Sequence, residues 1–338
     1  MKAVLFRSEE RFGAFHDRLK EAGVKVIVED FEDSKWMDID YKDIDIVIYF
    51  SFFNYSSNHP LALQAVYDNL IFIHHQNPKI IMFPDPNGIP YYNDKYRQYL
   101  FLSTHGYPIP KTLPLFSKKC VFEAEERFGY PMVIKNRYGA GGGSVFKASS
   151  RKELMSYFNI STLNLFNTGA IQYLWATISK RIFLYHLIKT KKCIYPLLSS
   201  PLIAQKYIKI DRDLKTVVGD GQVVESHWRH QAHEKQWKVN IDDGGIGVWG
   251  FVPQEPIDLS IKLAKELKTR WLNLDFLISD GKFLISEFSP VWHHYAYREK
   301  ESFVYGDDYN IQMPLTTSLN LELIIVESLV KAVKENVF

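Results

Sequence analysis

Pro131-Met132-Val133-Ile134-Lys135-Asn136-Arg137-Tyr138-Gly139-Ala140-Gly141-Gly142-Gly143-Ser144-Val145-Phe146-Lys147 is the stretch from which the rest of the chain is read. Met132 to Lys135 has the look of a short buried strand ending in a lysine, and Val145-Phe146 resumes a strand. Between them lie Gly139, Gly141, Gly142 and Gly143. Backbone without Cβ atoms can close its amides around an anion, and positive-φ turns cost it little. Lys135 would add a point charge beside such a loop. Two readings stay open on these residues alone: a phosphate-binding loop, or a flexible hairpin tip.

The chain has 338 residues, too many for one small core, so two or three subdomains are expected. Charged residues make up 24% and hydrophobic residues 46%, which places it among ordinary globular proteins. A formal net charge of +2 gives no motive for a nucleic-acid partner. Cys120 and Cys193 are too few for a disulfide framework. Met1 to Phe6 is charged too early to read as a signal peptide and reads as a first strand. No uncharged apolar run approaches the roughly 18 residues of a spanning helix. A cytoplasmic enzyme or binding protein is the expectation.

Residues 1–92 alternate strand and helix signals, which argues for a parallel sheet flanked by helices. Strands are predicted at Ala3–Phe6, Val24–Val28, Ile44–Phe50 and Lys79–Phe83, and helices at Phe15–Ala22, stopped by Gly23, and at Leu61–His74. No glycine fingerprint follows the first strand, so a dinucleotide site is not indicated there. Asn93-Asp94-Lys95 caps a helix running to about Thr104, and residues 93–200 form a second unit with the glycine loop. Residues 201–338 form a third. It opens with an apolar strand at Pro201–Ile208 and continues with hairpins turning at Gly219-Asp220-Gly221 and Ser279-Asp280-Gly281. A helix is predicted at Asp258–Leu267, and an amphipathic helix at Leu319–Val337 closes the chain.

In the second hairpin Asp275 lies on one strand, with Glu287 and Ser289 on its partner. Glu287 and Ser289 are two apart and share a face. Two carboxylates brought together repel unless a cation lies between them, and Mg²⁺ held by carboxylates and phosphate oxygens would do so; two solvated surface acids are the alternative.

From about residue 93 to 290 the layout resembles the ATP-grasp carboxylate–amine ligases, in the branch of the ribosomal-protein glutamate ligase and glutathione synthetase. The resemblance implies an α/β ATP-grasp fold, with an N-terminal Rossmann-like domain, a small α+β lid and a C-terminal α+β subdomain. It implies ATP and Mg²⁺ (with Mn²⁺ able to stand in) and small-molecule carboxylate and amine substrates. Lys95 and Lys135 match the two phosphate-contacting lysines, and Gly141, Gly142, Gly143 and Ser144 the lid loop. Gln205, Lys206, Tyr207 and Ile208 stand at the adenine-binding hinge, with Lys206 where a glutamate is usual. Asp213 and Lys215 match an Asp-x-Arg pair, lysine replacing arginine. Arg229 matches an arginine facing the acyl phosphate, and Lys238 and Asn240 a stretch near the triphosphate. Asp275, Glu287 and Ser289 match the Asp, Glu, Asn set that holds Mg²⁺, serine replacing asparagine. The implied activity is amide formation through an acyl phosphate. The alternatives are modification of a sugar or cell-surface polymer precursor, and nucleotide binding without turnover.

Residues 154–210 contain no Asp or Glu. Their segment at about 158–200 is longer than a family lid, and within 170–192 it carries Lys180, Arg181, Lys189, Lys191 and Lys192 among apolar residues. It reads either as an insertion packed on its own lid or as a basic amphipathic surface for an anionic membrane, a carrier or a second subunit. Homodimers are common in the families resembled. His227, His230 and His233 suggest a zinc site only weakly, and His293, His294, Tyr295 and Tyr297 are candidates for substrate contact.

Overall fold

The computed structural model describes residues 1–7, 11–31, 33–50, 60–138, 145–162, 201–231, 233, 237–239, 245–248, 251–291, 302–305, 311–315 and 320–335. The chain builds three sheets that matter here. The first comprises β1 (Lys2–Phe6), β2 (Lys25–Glu29), β3 (Ile46–Ile48) and β4 (Ile81–Phe83), all parallel in the order β2-β1-β3-β4. Their apolar runs are buried on both faces, as parallel strands require. Helix α1 (Phe12–Glu21) packs Phe15 and Leu19 against one face, and α2 (Pro60–Gln76) packs Val66, Leu70 and Ile73 against the other. Gly23 ends the first helical segment at φ 73°, a conformation cheap only for glycine.

Helix α3 (Lys95–Thr104) leads into the second unit, formed by β5 (Thr112–Leu115), α4 (Lys118–Phe128), β6 (Met132–Lys135), β7 (Val145–Ala148), α5 (Arg151–Ser161) and β8 (Leu202–Lys206). Its sheet is antiparallel in the order β5-β8-β6-β7, and α4 and α5 cover one side through Val121, Ala124, Leu154 and Phe158. The strand expected to open the third unit thus lies in the sheet of the second, between β5 and β6.

The third sheet is built from β9 (Arg212–Gly219), β10 (Gln222–His230), β11 (Ile246–Val248), β12 (Trp271–Ser279) and β13 (Lys282–Ser289), in the order β11-β10-β9-β12-β13. Both hairpins turn on Asp-Gly with positive φ at each residue: Asp220 48° and Gly221 81°, Asp280 52° and Gly281 75°. These are the conditions of a type I′ turn, whose twist matches that of the strands. Helix α6 (Gln254–Leu267), which follows β11, buries Ile257, Leu263 and Leu267 against one face of the sheet. A separate hairpin follows, β14 (Ser302–Tyr305) with β15 (Ile311–Leu315). The closing helix α7 (Leu321–Glu335) returns to the N-terminal sheet, packing Ile325 and Leu329 with Ala3, Leu5 and Ile48.

Trp271 joins these layers. Its indole is buried, donates to Ser328 Oγ of α7 at 3.3 Å and meets Phe83 of β4 edge-on at 6.4 Å. Across the strand pair it covers Gly219, where an added Cβ would come within 2.7 Å of the ring. A buried ring held by three layers cannot swing aside, so Gly219→Ala is expected to destabilise the fold by about 1–3 kcal/mol, the usual cost of overpacking. A urea-denaturation midpoint measures it; an unchanged midpoint would contradict this packing.

Candidate active site

Asp94 is the N-cap of α3, accepting the N–H groups of Tyr96 at 3.1 Å and Arg97 at 3.0 Å. Its carboxylate also takes Arg137 Nη2 at 2.7 Å and Nε at 3.1 Å, while the Lys95 N–H donates to the Arg137 carbonyl at 2.9 Å. The start of α3 is thereby stitched to the end of β6. Lys95 and Lys135, 40 positions apart in sequence (135 − 95), are both buried and converge on β13. Lys95 Nζ lies 3.5 Å from Glu287 Oε1. Lys135 Nζ donates to Ser286 Oγ at 3.1 Å and to the Ser286 carbonyl at 3.3 Å. Burial lowers the Lys135 ammonium to about 8, with Glu287 and Asp275 opposing and Lys95 adding to the drop.

The face of the third sheet away from α6 carries the acids and the remaining cations. Register places Arg229 opposite Asp213, His227 opposite Lys215, Lys215 opposite Asp275 and Asp275 opposite Glu287. Paired residues share a face, so these six form an array across four strands. Arg229 grips Asp213 with two bonds of 2.7 Å and reaches Asp275 Oδ2 at 3.0 Å. Lys215 Nζ stands 3.5 Å from Asp275 Oδ1.

Burial would raise the Asp275 carboxyl, but Arg229 and Lys215 outweigh it and hold the group down at about 2. Burial pushes Asp213 up to about 6 against the pull of Arg229, so it stays ionised at neutral pH. Burial disfavours the Arg229 charge, and Asp213 and Asp275 overcome it, keeping the guanidinium charged. Next along β10, burial holds the His227 ring well below its ordinary range, hence neutral, and raises the Glu225 carboxyl well above its own.

The structure therefore brings together Lys95, Lys135, Asp213, Lys215, Arg229, Asp275 and Glu287. Gln205 closes the other side: it is buried, its Nε2 donates to Thr112 Oγ1 at 2.9 Å, and it lines a cavity with Lys95, Gln98, Lys135, Ile203 and Ile285. The Lys206 side chain is exposed, while its N–H donates to the Lys111 carbonyl at 2.9 Å. Tyr207 and Ile208 are half-buried. Lys238 Nζ lies 5.1 Å from the Trp237 ring centre, and Lys147 Nζ of β7 stands over both Tyr207 and Trp237, at 5.5 and 5.8 Å. Ser289 shares the acidic face but is engaged in a turn with Val291. Gly141, Gly142, Gly143, Ser144, Asn240, His293, His294, Tyr295 and Tyr297 lie outside the described residues, as does 163–200, the bulk of the basic insertion. The histidine run does not converge: three apart on one strand, His227 and His230 face opposite ways. Sequence reasoning did not single out Arg137, Lys147, Ser286 or Glu225, which only strand register and the folding of α3 onto β6 bring to the site.

Residues 92–291 match the RimK-like ATP-grasp domain. The chain belongs to this family. Among curated relatives it is 26% identical over 202 residues to human (Homo sapiens) N-acetylaspartylglutamate synthase A, covering 57% of this chain and 42% of that one. It is 24% identical over 192 residues to the alpha-aminoadipate–LysW ligase LysX of Saccharolobus solfataricus, covering 56% and 58%. The matched part is thus about half the length of these relatives. In fold, the D-alanine–D-alanine ligase of Bacillus anthracis complexed with ATP superposes with a TM-score of 0.58 at 15% identity, over 99% of each chain. The ATP-grasp fold expected from the sequence is the fold found. No helix among the described residues is long and apolar enough to cross a membrane.

The Asp94–Arg137 pair carries the geometry of both lysines, and it generates a prediction. Asp94→Ala removes a cap worth about 1 kcal/mol and a charge-assisted pair worth about 1.5–3 kcal/mol, so a loss of about 2–4 kcal/mol in unfolding free energy is expected. Chemical denaturation measures it; a loss below about 0.5 kcal/mol, the range of a plain surface change, would show that the pair does not hold this junction.

Proposed function

We propose that the chain is an ATP-dependent carboxylate–amine ligase that forms an amide through an acyl phosphate, releasing ADP and phosphate. The observation that carries this reading is the convergence of Lys95 and Lys135, from separate elements, on the strand that sets Glu287 beside Asp275. Buried cations facing half-buried acids suit a polyanion with its counter-ion. The relatives' names, a synthase of N-acetylaspartylglutamate and a ligase of alpha-aminoadipate with LysW, support the joining of an acid to an amine.

The donor set fits Mg²⁺: hard oxygen ligands on paired strands, one of them, Asp275 Oδ1, buried and accepting no hydrogen bond. Asp275 and Glu287 would hold it, and when bound it supplies charge neutralisation along the phosphates. Lys95 and Lys135 bind and orient the triphosphate. A substrate carboxylate oxygen attacks the γ-phosphorus and ADP leaves. Arg229, kept charged by Asp213, faces the charge that develops on the acyl phosphate. The amine nitrogen then attacks the carbonyl carbon, gives up a proton, and phosphate departs. The glycine-rich stretch 139–144 is assigned to the lid that keeps water from the acyl phosphate. Gln205 to Ile208 take the adenine, and Lys238 and Asn240 the triphosphate. A cytoplasmic location, a homodimer, and a peripheral contact through 170–192 belong to the same reading; sedimentation of the chain alone and with anionic vesicles reads out the last two.

ADP release is expected only when an acid and an amine are both supplied, across a panel of amino acids, small peptides and amino or acidic sugars. Hydroxylamine in place of the amine should trap a hydroxamate. Glu287→Gln should abolish turnover with the fold intact by circular dichroism. Tight ATP binding with no turnover on any pair would contradict the ligase reading, and wild-type turnover in Glu287→Gln would remove that residue from the site.

The Lys135 ammonium yields a second expectation. Burial, with Lys95 adding to it and Glu287 and Asp275 opposing, lowers it to about 8 without nucleotide, and phosphates would raise that value. Above pH 8 nucleotide must therefore take up a proton to bind, and ATP affinity should fall by up to about tenfold per pH unit, whereas Lys135→Arg should flatten the profile. Titration calorimetry from pH 7 to 9.5 measures it, and a flat wild-type profile would contradict the placement of Lys135 on the phosphates.

A further inference from the structure

The metal set of the ligases this chain resembles is Asp, Glu and Asn, and Ser289 stands at the asparagine position. Its hydroxyl is committed elsewhere: Oγ donates to the Val291 carbonyl and accepts the Val291 N–H at 3.3 Å. Among the described residues no group of three or more His, Cys, Asp and Glu side chains could hold a metal, so a third protein ligand drawn from those residues beside Asp275 and Glu287 would be a neutral oxygen.

A carboxamide is present directly across the strand pair. Asn273 of β12 is paired in register with Ser289, one step along from the Asp275–Glu287 pair. Asn273 and Asp275, two apart on one strand, share a face with Glu287 and Ser289. Cross-strand partners hold their Cβ atoms about 4.5–5.5 Å apart, so a carboxamide at 273 starts within side-chain reach of the space that one at 289 would fill. Asn273 is only 4% exposed. Its Nδ2 donates to the Thr216 carbonyl at 2.9 Å. That bond settles which arm of the amide is nitrogen, because a carbonyl accepts only from a donor. It leaves Oδ1 on the other arm, accepting no hydrogen bond among the described residues. A buried amide with one N–H engaged on a neighbouring strand and its carbonyl oxygen available can offer that oxygen to a hard cation.

We propose that Asn273 Oδ1 supplies the neutral protein oxygen to the divalent cation held by Asp275 and Glu287, the ligand having crossed from β13 to β12. This rests on the Mg-nucleotide reading of the site, and it specifies which strand completes the metal set.

Mn²⁺ binding in the presence of saturating ADP, followed by electron paramagnetic resonance, tests it without reference to turnover. Wild type should bind Mn²⁺, and Asn273→Ala should weaken that binding at least tenfold, as loss of a ligand or its support does. Ser289→Ala should bind as wild type. Ser289→Asn added to Asn273→Ala should restore affinity to within about threefold of wild type, which no merely structural role of Asn273 predicts. Asn273→Ala binding as wild type, or Ser289→Ala showing the loss, would overturn the assignment. A wild type that binds no Mn²⁺ with ADP would overturn the reading beneath it as well, which separates the two failures. Should Asn273→Ala not fold, anomalous diffraction from wild type with Mn²⁺ and ADP decides: Mn²⁺ bonded to Asn273 Oδ1 supports the proposal, and Mn²⁺ bonded to Ser289 Oγ instead overturns it.

Discussion

Two one-residue bulges decide which side chains meet. In the β12–β13 hairpin the register runs from Ser279–Lys282 to Phe276–Ile285, and then shifts so that Asp275 pairs with Glu287. Without that shift Asp275 would face Ser286, and Glu287 would lie on the other face, against α6. The β9–β10 hairpin uses the same device. Val218 pairs with Val223, Val217 with Glu225, and the extra residue Val224 places Arg229 rather than Trp228 opposite Asp213. Because side chains alternate with a period of two, one inserted residue exchanges the faces of everything beyond it. Both insertions sit between the tight Asp-Gly turn and the charged end of the hairpin. The turn halves keep their pairing, and the far halves are re-aimed.

The electrostatics follow from that geometry. Once Asp213, Lys215, His227, Arg229, Asp275 and Glu287 share one face, burial opposes the charges of Asp213, Arg229 and Asp275 and their oppositely charged neighbours counter it, while His227 stays neutral. Asp275 shows the balance most clearly, with a cation near each oxygen and a carboxyl held at about 2. Lys135 shows the opposite outcome. It bonds to Ser286, the bulged residue itself, through neutral groups, and its ammonium drops to about 8. The bulge thus presents a hydroxyl and a carbonyl to one lysine and the next residue, Glu287, to the other. The Asp94–Arg137 pair fixes the two lysines relative to each other by binding the start of α3 to the end of β6.

Much of this was legible in the sequence. Asp-Gly turns announced both hairpins, Asp94 announced the start of α3, and the apolar runs of β1 and β3 announced a sheet covered on both faces. The ordered lysines and acids pointed to the family. The helices α4 and α5 were not read out, although Ser117 and Ser150 cap them and the Ser150-x-x-Glu153 pattern is a start signal. Strand β8 was assigned to the third unit by chain order, whereas its pairing with β5 and β6 depends on contacts across about 70–90 residues of sequence, which no local pattern encodes. Bulges escape local reading for the same reason. Their position is set by which register buries the better side chains, so neither the facing of Asn273 and Ser289 nor that of His227 and Lys215 could be counted out from the turns.

A crystal structure with Mg²⁺ and a non-hydrolysable ATP analogue tests the central claim most directly. The account predicts the triphosphate between the two hairpin strands and α3, with the Nζ atoms of Lys95 and Lys135 within hydrogen-bond distance of its oxygens and the cation between Asp275 and Glu287. A nucleotide seated elsewhere, or a cation that leaves Asp275 and Glu287 bound only to Arg229, Lys215 and Lys95, would contradict it.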